Sequence, residues 1–337
     1  MIRFDYDRPA DLPEALRQGA EAGATFLAGG TNLVDLMKEN VARPLRVVDL
    51  GRLPLDRIEE REGGGLRLGA LATNSATAYD ERVRARYPLL SSAILAGATP
   101  QLRNAATNGG NLNQRTRCYY FYDVGTPCNK REPGQGCGAI GGVNRIHAIL
   151  GASIQCIATH PSDMCVALAA LKAEVRVEGP GGERVIAFED YHRLPGEDPS
   201  RDNTLRPGEI VTAIDLPPEG FAAHHTYLKL RDRLSYAFAL VSVAVAMRVE
   251  GGEVGEVRVA LGGVAHKPWR VPAAEDLLRG RAPERAAFER VADALLEGAR
   301  GQGQNDFKVP LARRAIVRAL EQAAAGTPQS QTDKRIA

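Results

Sequence analysis

Leu27-Ala28-Gly29-Gly30-Thr31-Asn32-Leu33 sits between a short apolar run, residues 25–27, and the start of a helical pattern over residues 32–39. Two adjacent glycines let backbone N–H groups come close to an anion, and a helix amino terminus adds positive potential, so the stretch suits a pyrophosphate. A plain turn with Thr31 or Asn32 capping the helix accounts for the same residues. On either side, residues 11–23 show helical periodicity behind an Asp11 cap and residues 45–50 read as a strand. Together these make a small strand-loop-helix-strand unit.

Thr107-Asn108-Gly109-Gly110-Asn111-Leu112-Asn113 is a second turn of similar texture. It is rich in amide and hydroxyl groups able to donate to phosphates, or else it is an ordinary Asn-Gly turn. Gly134-Gln135-Gly136-Cys137-Gly138-Ala139 comes nearest to a Rossmann fingerprint, but it follows Pro133 instead of a strand and leads into no helix, so it is rejected. Residues 66–72 read as a strand and 88–98 as a helix with Pro88 in its first turn. Residues 103–142 lack periodicity and read as one long ordered loop. Beyond it the pattern predicts a strand over 146–158, a helix over 161–172, strands over 173–178 and 210–216, and a polar surface connection over 195–207.

The last third has a different rhythm, with strands expected at 227–231, 237–249 and 254–261 around a Glu250-Gly251-Gly252-Glu253 hairpin turn. Helices follow near 272–278, 283–300 and 309–325, and a polar, frayed tail at 327–337. Among 337 residues, 44% hydrophobic and 25% charged is an ordinary soluble balance, and a net charge of +2 points to neither nucleic acid nor a membrane surface as partner. Charges interrupt the amino terminus at once, so no export signal is expected in this chain, and no later stretch is apolar for long enough to span a bilayer.

Three motifs in order, residues 28–33, then Arg103-Asn104-Ala105-Ala106-Thr107-Asn108-Gly109-Gly110-Asn111, then Ala158-Thr159-His160-Pro161-Ser162-Asp163, resemble the flavin-binding subunits of the xanthine dehydrogenase and carbon monoxide dehydrogenase family. The resemblance spans nearly the whole chain. It implies an α+β fold: a PCMH-type FAD-binding domain of two subdomains over 1–220 (1–55 and 56–220), then a carbon monoxide dehydrogenase flavoprotein-like α+β domain over 221–326. It also implies that Leu27, Ala28, Gly29, Gly30, Thr31, Asn32 and Leu33, with Thr107, Asn108, Gly110 and Asn111, hold FAD through its pyrophosphate. Asp163 would contact the flavin side and Lys229 would lie near the isoalloxazine, where a cation favours the anionic reduced flavin. An exposed strand lysine is the ordinary alternative for Lys229.

Five cysteines, odd in number and absent from the first third and last half of a large chain, fit reduced ligands better than a disulfide framework. Cys118, Cys128, Cys137 and Cys156 come from a glycine-rich loop, 115–140, and the segment after it, and four thiolates on irregular backbone can surround a [4Fe-4S] cubane. Zinc in a four-thiolate site suits the same residues. The loop resembles the insertion of the periplasmic aldehyde oxidoreductase type, which carries such a cluster. Cys165, in an apolar helical run, is expected in the core. Residues 119–122 would shield the cluster and Lys130 and Arg131 would offset its charge, with loop packing and solvation as the plain alternatives; His147 and His160 are expected to be structural. The resemblance further implies a large molybdenum-cofactor subunit and a small [2Fe-2S] subunit as partners, with this subunit passing electrons through FAD to an acceptor. The location expected is cytoplasmic, or periplasmic if the folded complex is exported on a partner's signal. A stand-alone FAD oxidase and a zinc-stabilised interaction module are the rival functions.

Overall fold

The computed structural model describes residues 1–331, and residues 332–337 of the expected tail lie outside it. At the amino end, β1 (Asp5–Asp7), α1 (Leu12–Gly19), β2 (Ala24–Leu27), α2 (Leu33–Lys38) and β3 (Arg46–Asp49) build a three-stranded sheet in the order β1-β3-β2. All its pairs are parallel, so each return crosses over through a helix or its linker. Asp11 caps α1 by accepting from Glu14 N at 2.8 Å, as its sequence position predicts.

The second unit begins with β4 (Ile58–Glu60) and β5 (Leu66–Gly69). Five short helices follow: α3 (Asn74–Tyr79), α4 (Glu81–Arg86), α5 (Pro88–Ala96), α6 (Pro100–Ala105) and α7 (Asn108–Leu112). Next come α8 (Tyr119–Tyr122), α9 (Asp163–Leu171), β6 (Glu174–Gly179), β7 (Gly182–Ala187), α10 (Phe188–Tyr191) and β8 (Ile210–Leu216). Its sheet is antiparallel in the order β4-β5-β8-β6-β7. Helix α9 is buried at every position and α5 at most, because both are apolar all round, the pattern of a helix enclosed by its domain.

The third unit is a meander of β9 (His224–Leu230), β10 (Val241–Glu250) and β11 (Glu253–Gly262), backed by α11 (Pro272–Glu275), α12 (Arg285–Leu295) and α13 (Lys308–Ala324). The β10–β11 hairpin closes on Gly251 and Gly252 at φ +59 and +85, which is why two glycines occupy the turn.

Several expectations are corrected. Residues 146–158 form turns with one isolated Ser153–Cys156 bridge, not a strand. The stretch 103–142 is not wholly irregular, since it contains the end of α6 together with α7 and α8. The tail is anchored where it is described: Gln329 N donates to Thr226 Oγ1 at 2.9 Å, and Gln331 Nε2 to the Tyr227 carbonyl at 3.0 Å. Residues 195–207 are more than a surface connection, because Asp202 reaches inward to Lys130 and Arg115.

Candidate flavin cleft and thiol site

The glycine turn after β2 and the turn that opens α7 meet, and a cavity lies on each side of the junction. Gly29 faces the end of α6 so closely that a Cβ there would lie 1.9 Å from the Ala105 carbonyl oxygen. The first cavity, about 620 Å³, is lined by Ala28, Gly29, Leu33, Arg43, Thr107 and Arg115 among others. The second, about 590 Å³, is lined by Gly97, Arg103, Asn111, Asp163, Lys229 and Phe238 among others. Gly30, Thr31, Asn32 and Gly110 line both. A dinucleotide laid across this junction would put one half in each cavity and its phosphates over the turns, where the first turn of α2 leaves N–H groups without intrahelical partners. The residues present therefore fit such a ligand.

The polar side chains at this junction are organised in part as scaffold. Asn32 stands at the cap position of α2 but makes no cap bond. Its Oδ1 accepts from Arg115 N at 2.8 Å and its Nδ2 donates to Tyr122 Oη at 3.3 Å, so the capping alternative for Asn32 does not hold. Asn108 is fully buried and hydrogen-bonded to Gly69 O and Thr77 Oγ1, and it lines neither cavity; nor does Leu27. Thr107 caps α7 by accepting from Gly110 N. In the second cavity Lys229 is not exposed: its side chain is 2% accessible and donates to Asp163 Oδ2 at 2.7 Å and to the Ala96 carbonyl at 3.2 Å. Tyr227 Oη donates to Asp163 Oδ1 at 2.6 Å, so both carboxylate oxygens are occupied.

The loop brings four thiols together. Cys118, Cys128 and Cys156 share one buried cluster with Leu36 and Phe121. Cys137 bridges Cys128 through backbone pairing and is hydrogen-bonded to Cys156. That bond, with the N–H groups of Ala139, Ile140 and Ile157 aimed at its sulfur, holds the Cys137 thiol well below its ordinary range, and Cys156 is raised in turn. Burial pushes Cys118 up to about 11, although the N–H groups of Phe121 and Tyr120 favour its thiolate. A buried thiolate that attracts N–H donors is chemically suited to metal ligation. His147 Nε2 lies 3.1 Å from Cys118 Sγ.

Lys130 and Arg131 are not solvated. Lys130 is 2% exposed, donates to the Pro199 carbonyl at 2.8 Å and pairs with Asp202. Burial alone would raise the Asp202 pKa, but Lys130 and Arg115 more than offset it and hold it well below the usual range. Arg131 donates to the carbonyls of Tyr120, Phe121, Asp123 and Thr126, bracing the loop from within. The aromatic run alternates, with Phe121 buried against Arg115 at 4.9 Å and Tyr119 exposed. The far end of the loop is clamped by the third unit: Asn305 Nδ2 donates to the carbonyls of His147 and Ala148, both at 3.1 Å, and the buried Lys308 to His147 O at 2.8 Å.

A third cavity, about 310 Å³, has Cys118 and His147 on one wall and Asp163, Ala237 and Phe238 on another. Arg117, Pro161, Ser162, Asp163, Ala237 and Phe238 line it and the second cavity alike.

The family described as FAD binding domain in molybdopterin dehydrogenase matches residues 2–219, and the CO dehydrogenase flavoprotein C-terminal domain matches residues 225–323. The chain is an FAD-binding subunit of the molybdenum hydroxylase family. It is 49% identical to the aldehyde oxidoreductase FAD-binding subunit PaoB of Escherichia coli, over 96% of this chain and 99% of that protein. A carbon monoxide dehydrogenase from Hydrogenophaga pseudoflava superposes with a TM-score of 0.76 at 28% identity, over 97% of this chain and 99% of that one. The enzyme from Oligotropha carboxidovorans gives 0.75 at 27%, over 96% and 99%.

In this molybdenum hydroxylase subunit, sequence reasoning missed much of the cleft's lining. Arg43, residues 205 and 209–211, and the Gly97–Ala98 corner belong to no glycine motif, and only the folded sheet edge and the α5–α6 corner bring them in. Among the described residues of the flavoprotein no helix is long and apolar enough to cross a membrane. Burial also holds His192 at about 4 and His266 at about 3, so both are neutral in the fold near pH 7. Their folded pKa values lie below the unfolded value, so the unfolded chain takes up protons first as pH falls below about 6.5, and stability declines from there towards pH 3. The urea midpoint should therefore be lower at pH 5 than at pH 7, and His266→Phe should flatten that slope. An unchanged slope would contradict the assignment.

Proposed function

We propose that this flavin subunit holds FAD across the two cavities and a [4Fe-4S] cluster on Cys118, Cys128, Cys137 and Cys156. In this role it passes electrons from the [2Fe-2S] clusters of a small partner subunit through FAD to an acceptor. Substrate oxidation would belong to a large molybdenum-cofactor subunit, by analogy with the aldehyde oxidoreductase to which PaoB belongs. The observation that carries the reading is the pair of cavities meeting at the glycine turns, with a third cavity joining Cys118 to Asp163. FAD, when bound, supplies both one-electron and two-electron chemistry and so joins clusters to an acceptor.

The chain's own part is binding and placement. Gly29 and Gly110 admit the phosphates close to backbone, the Lys229–Asp163 pair sets a fixed dipole in the wall of the flavin half, and Phe238 with the 159–163 turn separates that half from the thiols. Four thiolates suit either iron or zinc, and iron is favoured because only a cluster would give this loop a part in electron transfer.

The direct test is iron, zinc and flavin analysis of the anaerobically purified chain alongside Cys128→Ser. About four irons and one FAD per chain are expected, with Cys128→Ser losing the iron and keeping FAD, since the thiol loop and the glycine turns are separate devices. Zinc in place of iron would remove the cluster while leaving the FAD fold, and loss of FAD with iron retained would overturn the division of labour.

A further inference from the structure

A second set of metal-ligating atoms lies in the core, apart from the thiol loop. Cys165 on α9, His160 in the segment leaving the loop and His192 just past α10 present donor atoms that all lie within 4.8 Å of one another. Cys165 is completely buried, and the two imidazoles are 8% and 3% exposed, with ring centroids 4.3 Å apart.

Cys165 is hydrogen-bonded with Ser162, but one nitrogen on each imidazole is left unsatisfied. His192 Nε2 lies 2.9 Å from the Leu112 carbonyl, which can only accept, so Nε2 carries the proton and the lone pair is on Nδ1. That Nδ1 is buried and has no partner, and neither has His160 Nε2. A buried polar atom left unpaired costs about 1–3 kcal/mol, and here two imidazole nitrogens without partners stand beside one thiol.

We propose that Cys165 Sγ, His160 Nε2 and His192 Nδ1 form a binding site for a monovalent copper ion. The donor set is soft, one thiolate with two imidazoles, and suits copper(I) or zinc in preference to harder cations. Charge decides between those two. On binding, Cys165 loses its thiol proton to solvent, so Cu⁺ with one thiolate and two neutral imidazoles is a neutral assembly. Zinc would leave a net positive charge in the core, which is costly without a counter-ion. Two carboxylates act on this set, Asp202 on the imidazoles and Asp163 on Cys165, and both are already engaged, by Lys130 and Arg115 and by Lys229. The third cavity, lined by Thr159, His160 and Ser162, comes up to His160, one of the three ligands. Bound to these ligands, the ion would pin the exit of the thiol loop to α9 and to the segment after α10, where the sequence alone suggests a structural His160 and a core Cys165.

The test is expression of the full chain with copper, anaerobic purification, metal analysis and copper X-ray absorption. The expected result is a single copper ion per chain with one sulfur and two imidazole nitrogens. Cys165→Ala and His192→Phe should each lose it while keeping the iron and FAD of the parent protein. Iron content reports on the thiol loop and copper on this site, so the two assignments fail separately. Absence of copper from the parent protein, retention of copper in both variants, or a shell of sulfur alone that places the ion in the thiol loop would each overturn the proposal. Zinc on the same three donors would overturn the charge argument.

Discussion

Gly29→Ala should yield a folded protein with nearly all of its FAD lost and its iron retained. The added Cβ would stand 1.9 Å from the Ala105 carbonyl oxygen and 3.1 Å from Ala106 Cα, both of them backbone. No side-chain rotation relieves that overlap, so the turn after β2 has to move away from α6. The shared floor of both cavities is built from these two turns, and it would open where phosphates need closely placed N–H groups. Gly30→Ala is the graded control. Gly30 has φ +71 and its Cβ would meet only Val34 and Leu27 side chains, so the cost is a backbone strain of about 1–2 kcal/mol and a partial loss of FAD. Flavin absorbance per chain separates the two variants; equal and full occupancy in both would remove the glycine junction from the binding site.

Lys229→Met is expected to destabilise the chain by about 3–5 kcal/mol, because it leaves the Asp163 carboxylate in a nearly dry site bonded only by Tyr227, with Arg231 acting on it through space without pairing. At roughly 2–4 °C per kcal/mol, the thermal midpoint should fall by something on the order of 10 °C. Removing both charges with Lys229→Met/Asp163→Leu should recover most of that loss, since it is the uncompensated charge that is costly and not the missing pair. A double variant as unstable as the single one would show that the pair acts through packing. Flavin binding is read separately, for the double variant would keep its stability yet alter the wall of the flavin half.

The parts of this fold that were legible in sequence are those determined locally. The Glu250–Glu253 turn follows from two glycines flanked by alternating strands, the Asp11 cap from its spacing, and β8 from a run of apolar residues between turn signals. What escaped is fixed by distant partners. Residues 146–158 have the apolar content of a strand, but their carbonyls are taken by Asn305, Lys308 and the Arg300 amide, about half the chain away. Asn32 looks like a helix cap until the Arg115 amide, 83 residues on, claims its oxygen. Lys130 looks solvated beside Arg131 because nothing near it in sequence announces Asp202. The thiol quartet was visible as residue types, whereas its convergence depends on the Cys128–Cys137 bridge and the turn at Ser153.

The clamp on the end of the thiol loop also sets an order of events during synthesis. Cys118, Cys128 and Cys137 leave the ribosome early, while Asn305 and Lys308, which hold the 146–148 backbone in place, follow 157 to 162 residues behind their partners. At ordinary elongation rates that gap lasts roughly ten to thirty seconds. For that interval the thiols are present without the lock that closes the loop's far end, open to delivery of the cluster proposed for them. Once α13 docks, the loop is shut behind its cargo, so a chain truncated before residue 300 would offer the ligands without the means to keep what they bind.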